Sequence, residues 1–241
     1  MGNKALKIIL SSVMVSLSVP ILSISSVSNK EMIYDSSVTV QEEVIADDNN
    51  KISHEDYDIN EEIEIAIENM DKELEEINGI ENLRDWFVAY KCLVEDYSYI
   101  LDPPETIYDY YTNKELELLF RVVQSEVGDE YTFEQKANIA SIIFNRIEHE
   151  DFPNKMLDIL SKDQFQPIRD ERYNDVEVSN ETILACEYSF MFGDTTNGCL
   201  FFDSNGKLKY EFVYSDGAHN FYKWRKENNE WICKIEDFRC W

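Results

Sequence analysis

The chain has 241 residues and a formal charge of −27, from 49 acidic side chains against 22 Lys and Arg, with 44% hydrophobic and 13% aromatic residues. The apolar fraction is ample for a packed core, and the length allows one domain with extensions or two small ones. Such an acidic balance lacks the electrostatic footprint of phosphate-backbone binding, so no nucleic-acid partner is expected; only 7 glycines argue against Gly-rich phosphate loops and for a helix-rich fold.

The charge is unevenly spread: residues 1–30 carry +3, residues 31–111 carry −20 and residues 112–241 carry −10. Lys4 and Lys7 precede an uncharged, Ser-rich apolar run from Ile8 to Val27, broken by Pro20, with Ser26 and Ser28 before Asn29. That layout is a secretory signal cleaved near Ser28; the rival, an uncleaved anchor, is weakened by the serines and the central proline. Export follows, to the medium, the wall or the cell surface. Leu6 stands where a myristoylation motif needs Ser or Thr, and no Cys follows the apolar run to accept a lipid.

Residues 29–58 mix Asp, Glu, Asn and Ser with few large apolar groups and read as a disordered acidic spacer. Residues 59–104 form an acidic helical extension. Its first helix starts at Asn60 and places Ile63, Ile67, Met70, Leu74 and Ile77 on one stripe, with Gly79 as terminator. That stripe packs on the neighbouring domain, or docks a protein partner or a second copy of the chain. A second helix within residues 81–99 presents Leu83, Trp86, Phe87, Tyr90 and Leu93, and Pro103-Pro104 marks a domain boundary.

Two capping boxes follow. Thr112-x-x-Glu115 opens a helix with Leu116, Leu119, Phe120, Val123 and Val127 inward; Thr132-x-x-Gln135 opens another with Phe133, Ala137, Ala140, Phe144 and Ile147 inward, its two alanines admitting a neighbouring helix closely. Residues 128–131 join the two. A third helix, capped by Ser179 and stopped by Gly193, spans about residues 180–192, and the aromatic, β-prone stretch 199–214 around Ser204-Asn205-Gly206 predicts a β-hairpin. The expected fold class is α+β: a mostly helical domain with a small antiparallel hairpin or sheet, followed by a tail, 225–241.

Glu126 lies about 80° from the centre of its helix's apolar stripe at 100° per residue, so its carboxyl emerges at the edge of the buried face. Partial desolvation there raises a Glu pKa towards the range of a general acid, although spacing alone favours a boundary glutamate that reaches into water. Cys199 followed by His219 has the order of a Cys–His hydrolase but lacks an orienting partner. The histidines, His54, His149 and His219, are scattered, and Cys92, Cys186, Cys199, Cys233 and Cys240 show no C-x-x-C spacing, so no metal site and no cofactor is indicated; Cys233 and Cys240 can bridge in an exported protein. Phe165, Tyr173, Phe201, Phe202, Tyr214, Phe221, Tyr222 and Trp224 fit either a sugar-stacking cleft or the core.

Six ordered blocks, Leu118–Glu126, Ala140–Arg146, Phe152-Pro153-Asn154, Gln164–Pro167, Thr195–Phe202 and Gly217–Lys223, resemble the SleB/CwlJ family of bacterial cell-wall hydrolases, known for spore-cortex lysis during germination. The resemblance covers residues 112–224. It implies a lysozyme-like, lytic-transglycosylase-like fold acting on the glycan strands of peptidoglycan, with Glu126 as catalytic acid and base and Gln164, Phe165, His219 and Tyr222 as cleft-lining groups. The reaction it implies is cleavage between muramic acid and N-acetylglucosamine with closure of a 1,6-anhydro ring, which needs no second carboxylate; a hydrolytic muramidase would place two carboxyls about 5 to 9.5 Å apart. A non-catalytic wall-binding module is the alternative of a different class. The family's A-E-A-x-G-E run is here Ser125-Glu126-Val127-Gly128-Asp129-Glu130, and the loop after Gln166-Pro167 also departs from the pattern. Both departures bear on substrate choice, spore cortex or vegetative wall.

Overall fold

The computed structural model describes residues 55–224 together with 226–227 and 230–231. The expected leader, most of the spacer and the Cys233–Cys240 pair lie outside them. Two compact units divide the chain: Met1–Gly79 with Tyr90–Pro103, and Ile80–Ala89 with Pro104–Trp241.

In the first unit, helix α1 (Glu55–Asn78) begins five residues before the predicted start at Asn60. Ala66, Met70, Leu74 and Ile77 are its buried positions, Ile63 and Ile67 are half-buried, and Ile65 is exposed. Of the predicted stripe, Met70, Leu74 and Ile77 are thus buried. The Tyr97 hydroxyl donates to Glu73 Oε1 at 2.8 Å, tying α1 to the segment that follows the next helix.

That next helix, α2 (Leu83–Asp96), is shorter than the 81–99 stretch and opens at Asn82, whose side-chain oxygen accepts from the Asp85 N–H at 3.0 Å. Its first turns belong to the second unit, which the proline boundary alone does not reveal. Phe87 is fully buried there, edge-on to Tyr188 at 5.4 Å and to Phe192 at 5.9 Å, and Trp86 meets Phe192 at 5.2 Å. Aromatic payload, not chain continuity, assigns this stretch.

The second unit is built on three longer helices. A short turn, α3 (Ile107–Tyr110), precedes α4 (Asn113–Glu126), which buries Leu116, Leu119, Phe120 and Val123 as its period dictates; both capping-box bonds at Thr112 and Glu115 are present. Helix α5 (Phe133–Glu148), boxed by Thr132 and Gln135, is the hub. Its burial exceeds the predicted stripe: Ile139, Ile142 and Ile143 are fully buried with Ala137 and Ala140, while Phe144 and Ile147 are half-buried. The alanines do admit a neighbour, since Ser189 Oγ on α8 (Asn180–Phe192) donates to the Ala137 carbonyl at 2.8 Å. Ser179 caps α8 and Gly193, at φ 84, ends it. Between α5 and α8 run two single turns, α6 (Met156–Ile159) and α7 (Gln166–Arg169), and a 3-10 turn, Arg172–Asn174.

The sheet corrects the predicted hairpin. Strands β1 (Phe201–Asp203) and β2 (Glu211–Ser215) do not pair with each other; both pair antiparallel with β3 (Asn220–Lys223), in the order β1-β3-β2. The reason lies in the turn after β1: the Asp203 carboxylate collects the N–H groups of Gly206, Lys207 and Leu208 at 2.9, 2.6 and 3.1 Å, turning the chain into a loop stapled to β1. The hairpin forms one turn later, between β2 and β3, where Asp216 accepts from Ala218 N and His219 N. A short ribbon, β4 (Lys226–Glu227) with β5 (Glu230–Trp231), follows. The fold is therefore α+β, mostly helical with a small antiparallel sheet. No helix of the described residues is long and apolar enough to cross a membrane.

Candidate active site

Polar side chains on α4 and α5 fasten the surrounding loops and so fix where Glu126 stands. Gln124 is buried and bridges three segments: its amide donates to Asp129 Oδ1 at 2.9 Å, and its carbonyl oxygen accepts from Ser179 N at 3.1 Å and from the Thr182 hydroxyl. On α5, Asn138 donates to Asp216 Oδ2 and accepts from the Thr195 hydroxyl, Asn145 donates to the Cys199 carbonyl at 3.0 Å, and Arg146 Nε donates to the Leu200 carbonyl at 2.7 Å. The Asn145-Arg146 and Thr195–Leu200 blocks, distant in sequence, are two halves of one hydrogen-bonded seam.

Glu126 is the last residue of α4, with Val127 as its C-cap, and its side chain is only 14% exposed. Burial raises its pKa from the ordinary 4.5 to about 7, against the lowering pull of Arg172 and Arg146 and with a smaller raising contribution from Asp170. The negative end of the α4 dipole acts in the same direction as burial. A carboxyl in that state gives up a proton and takes one back near neutral pH, the property of a general acid and base.

Two arginines flank it in different ways. Arg146 is buried, its guanidinium carbon 5.0 Å from the centre of the Phe165 ring, 5.5 Å from Phe152 and 5.7 Å from Phe201. Its Nη1 has no hydrogen-bond partner among the described residues, and burial lowers its pKa to about 10, still fully charged at neutral pH. Arg172 is half out in solvent, with Nη2 3.7 Å from Glu126 Oε2 and Nε 3.6 Å from Asp170 Oδ1. Sequence reasoning named neither; the Asn145-Arg146 block held the signal for Arg146, whereas nothing local marks Arg172 or Asp170.

Of the other expected site residues, Phe165 is buried beneath Arg146, so it supports the site without offering a ring face to solvent. Gln164 is half-buried, and its Oε1 has no partner among the described residues. His219 and Tyr222 do not come together. Tyr222 lies opposite Phe201 in the β1–β3 register and His219 falls one residue before β3, so alternation puts the two on opposite faces of the sheet. His219 sits among Tyr131, Phe202 and Phe221, with burial holding its pKa below the usual imidazole value. The Tyr222 hydroxyl is spent on Asp203 Oδ1 at 2.9 Å. Of the eight aromatics read as cleft or core, Phe165, Phe201, Phe221, Tyr222 and Trp224 are core, while Tyr173, Phe202 and Tyr214 are half-buried. Burial pushes the Cys199 thiol up to about 12, so it is not the thiolate that a Cys–His hydrolase uses.

No family model matches the chain, and no curated protein matches it. Among solved structures it is similar to the catalytic domain of the Bacillus cereus SleB protein, at 18% identity over 47% of this chain and 92% of that one, with a TM-score of 0.42. It is also similar to the catalytic domain of the germination-specific lytic transglycosylase SleB from Bacillus anthracis, at 16% identity over 48% of this chain and 100% of that one, with a TM-score of 0.44. Both are catalytic domains of the SleB kind that the sequence blocks resemble.

Proposed function

We propose that this chain is an exported enzyme that cleaves peptidoglycan glycan strands by lytic transglycosylation, with Glu126 as its single acid and base. One observation carries the reading: a carboxyl at a helix end, 14% exposed, whose pKa burial pushes up to about 7, with Arg172 Nη2 3.7 Å from its Oε2. As the acid, Glu126 protonates the glycosidic oxygen between muramic acid and N-acetylglucosamine, and the C1–O bond breaks. As the carboxylate so formed, it takes the proton of the muramic C6 hydroxyl while O6 bonds to C1, closing the 1,6-anhydro ring. The proton count closes on Glu126, and no water is consumed. Arg146 stabilises the carboxylate half of the cycle from its ring cage.

Asp170 supports a second reading, hydrolysis, because among the described residues it is the carboxylate whose charge acts on Glu126. Mass spectrometry of unreduced fragments released from purified spore cortex and vegetative wall decides between them. Anhydro-muramic ends are expected; reducing muramic ends, lost on Asp170→Asn, would establish hydrolysis instead. Glu126→Gln should keep wall binding and lose turnover by about 10²- to 10⁴-fold, whereas a non-catalytic wall-binding module would release no fragments before or after the change.

A further inference from the structure

Arg172 is held unlike the other arginines near α4. Arg121 is anchored by bonds to the backbone carbonyls of Tyr173 and Val176, and Arg146 is caged by rings. Arg172 stands 3.7 Å from Glu126 and 3.6 Å from Asp170, beyond hydrogen-bond length on both sides, with its side chain 45% exposed. A guanidinium is suited to a bidentate fork on one carboxylate or phosphate. Shared loosely between two carboxylates at the solvent edge, it keeps its donors available. It is carried on a three-residue 3-10 turn, in the stretch after Gln166-Pro167 where the chain departs from the pattern it otherwise resembles.

This contact opposes the proposed chemistry. The acid step needs Glu126 protonated, and a neighbouring cation favours the carboxylate. The charged groups that act on Glu126 are Arg172 from the 3-10 turn, Arg146 from α5 and Asp170 from the loop between α7 and that turn. Of the two cations, only Arg172 is free to move away.

We propose that Arg172 is a substrate-displaced latch and a specificity residue: a carboxylate carried by the bound glycan strand draws its guanidinium off Glu126, so that carboxylate-bearing strands switch on the acid that cleaves them. The inference rests on the glycan-cleaving reading above. Two groups on such strands have the required chemistry, the carboxylates of the stem peptide and the lactyl carboxylate left on muramic acid when the stem is removed.

The test is the pH profile of kcat and kcat/KM for the wild-type chain, Arg172→Gln and Arg172→Lys on soluble strands in three forms: stems intact, all carboxyls capped as methylamides, and stems removed by an amidase. On intact strands the wild-type alkaline limb in kcat, which reports the bound enzyme, should lie about one pH unit above that in kcat/KM, which reports the free enzyme. On capped strands the two limbs should coincide, and the rate at pH 8 should fall on the order of fivefold, the change in protonated fraction that one pKa unit near 7 produces. Arg172→Gln should act on intact and capped strands equally, with both limbs at the higher pH, while Arg172→Lys keeps part of the discrimination. Separation of the limbs on stem-free strands assigns the lactyl carboxylate; its loss there assigns the stem.

Wild-type limbs that coincide on intact strands overturn the latch, as does an Arg172→Gln chain that still discriminates or turns over no strand at all. A wild-type chain that cleaves none of the three forms brings down the glycan-cleaving reading and the latch together, an outcome distinct from the latch failing with turnover intact. Arg172 makes no side-chain hydrogen bond among the described residues, so the thermal midpoint of Arg172→Gln should stay within about 2 °C. Arg172→Lys carries the comparison if that variant folds poorly.

Discussion

A carboxyl that titrates at about 7 instead of 4.5 makes folding depend on pH. The folded state holds the Glu126 proton more tightly than the unfolded chain, so its contribution is fully present below about pH 4.5 and is lost as pH rises through about 7. Glu126→Gln removes that loss: at pH 8 it should be more stable than wild type by about 3 kcal/mol in urea unfolding, with the gap closing by pH 4.5. No gap at pH 8 would mean that the carboxyl is not desolvated. In the free enzyme kcat/KM should follow the same group, falling as pH rises past about 7. Asp203 runs with the opposite sign. Burial raises its pKa, but the N–H groups of Lys207 and Gly206, the Tyr222 hydroxyl and the Asn220 amide together hold it below the usual 3.8, so its contribution is present above that value and is lost only at lower pH. Asp203→Asn should cost about 2 kcal/mol at pH 7 and Tyr222→Phe about 1 kcal/mol, both read as unfolding midpoints. An effect of Tyr222→Phe on KM without one on stability would return Tyr222 to the cleft.

At the scale of elements, capping boxes and apolar periodicity made α4 and α5 legible, and the Ser179 cap with the Gly193 stop bracketed α8, because each of these signals is local. Sheet order was not legible. The turn that Asp203 builds is local, but which strand becomes the middle one also depends on the burial of Phe221 and Tyr222 and on the pairing of Tyr222 with both Phe201 and Phe212, which no neighbour in sequence sets. The α5–α8 contact supplies a test of the close approach. Ala137→Leu drives a side chain into the space where Ser189 meets the Ala137 carbonyl and should cost about 3 kcal/mol, whereas Thr132→Ala, which removes only a cap, should cost about 1 kcal/mol. Equal costs in thermal unfolding would show that α8 yields to the larger side chain.

For the whole molecule, the charge of −27 sets the terms of the encounter with a wall that the proposed function requires. Anionic wall polymers repel such a chain, and at physiological salt the screening length shrinks to about 8 Å. Cleavage of intact wall should therefore rise between low and moderate salt, with weak retention throughout. Binding that falls steeply as salt is added would point to a basic contact surface that the composition does not reveal.

Residue types and their spacing determined the fold class, the helices and their caps, because each rests on interactions within a few turns of chain; spacing put Glu126 at the edge of a buried face, and the resemblance of the ordered blocks singled it out. Tertiary structure decided what Glu126 can do. Its burial, the ring-caged Arg146 brought in from α5 and the loosely held Arg172 from the 3-10 turn set its charge state. Those partners lie 20 and 46 positions away in the chain. Only the packing of helices and loops around α4 brings them within electrostatic reach, and at that separation no sequence period carries the signal.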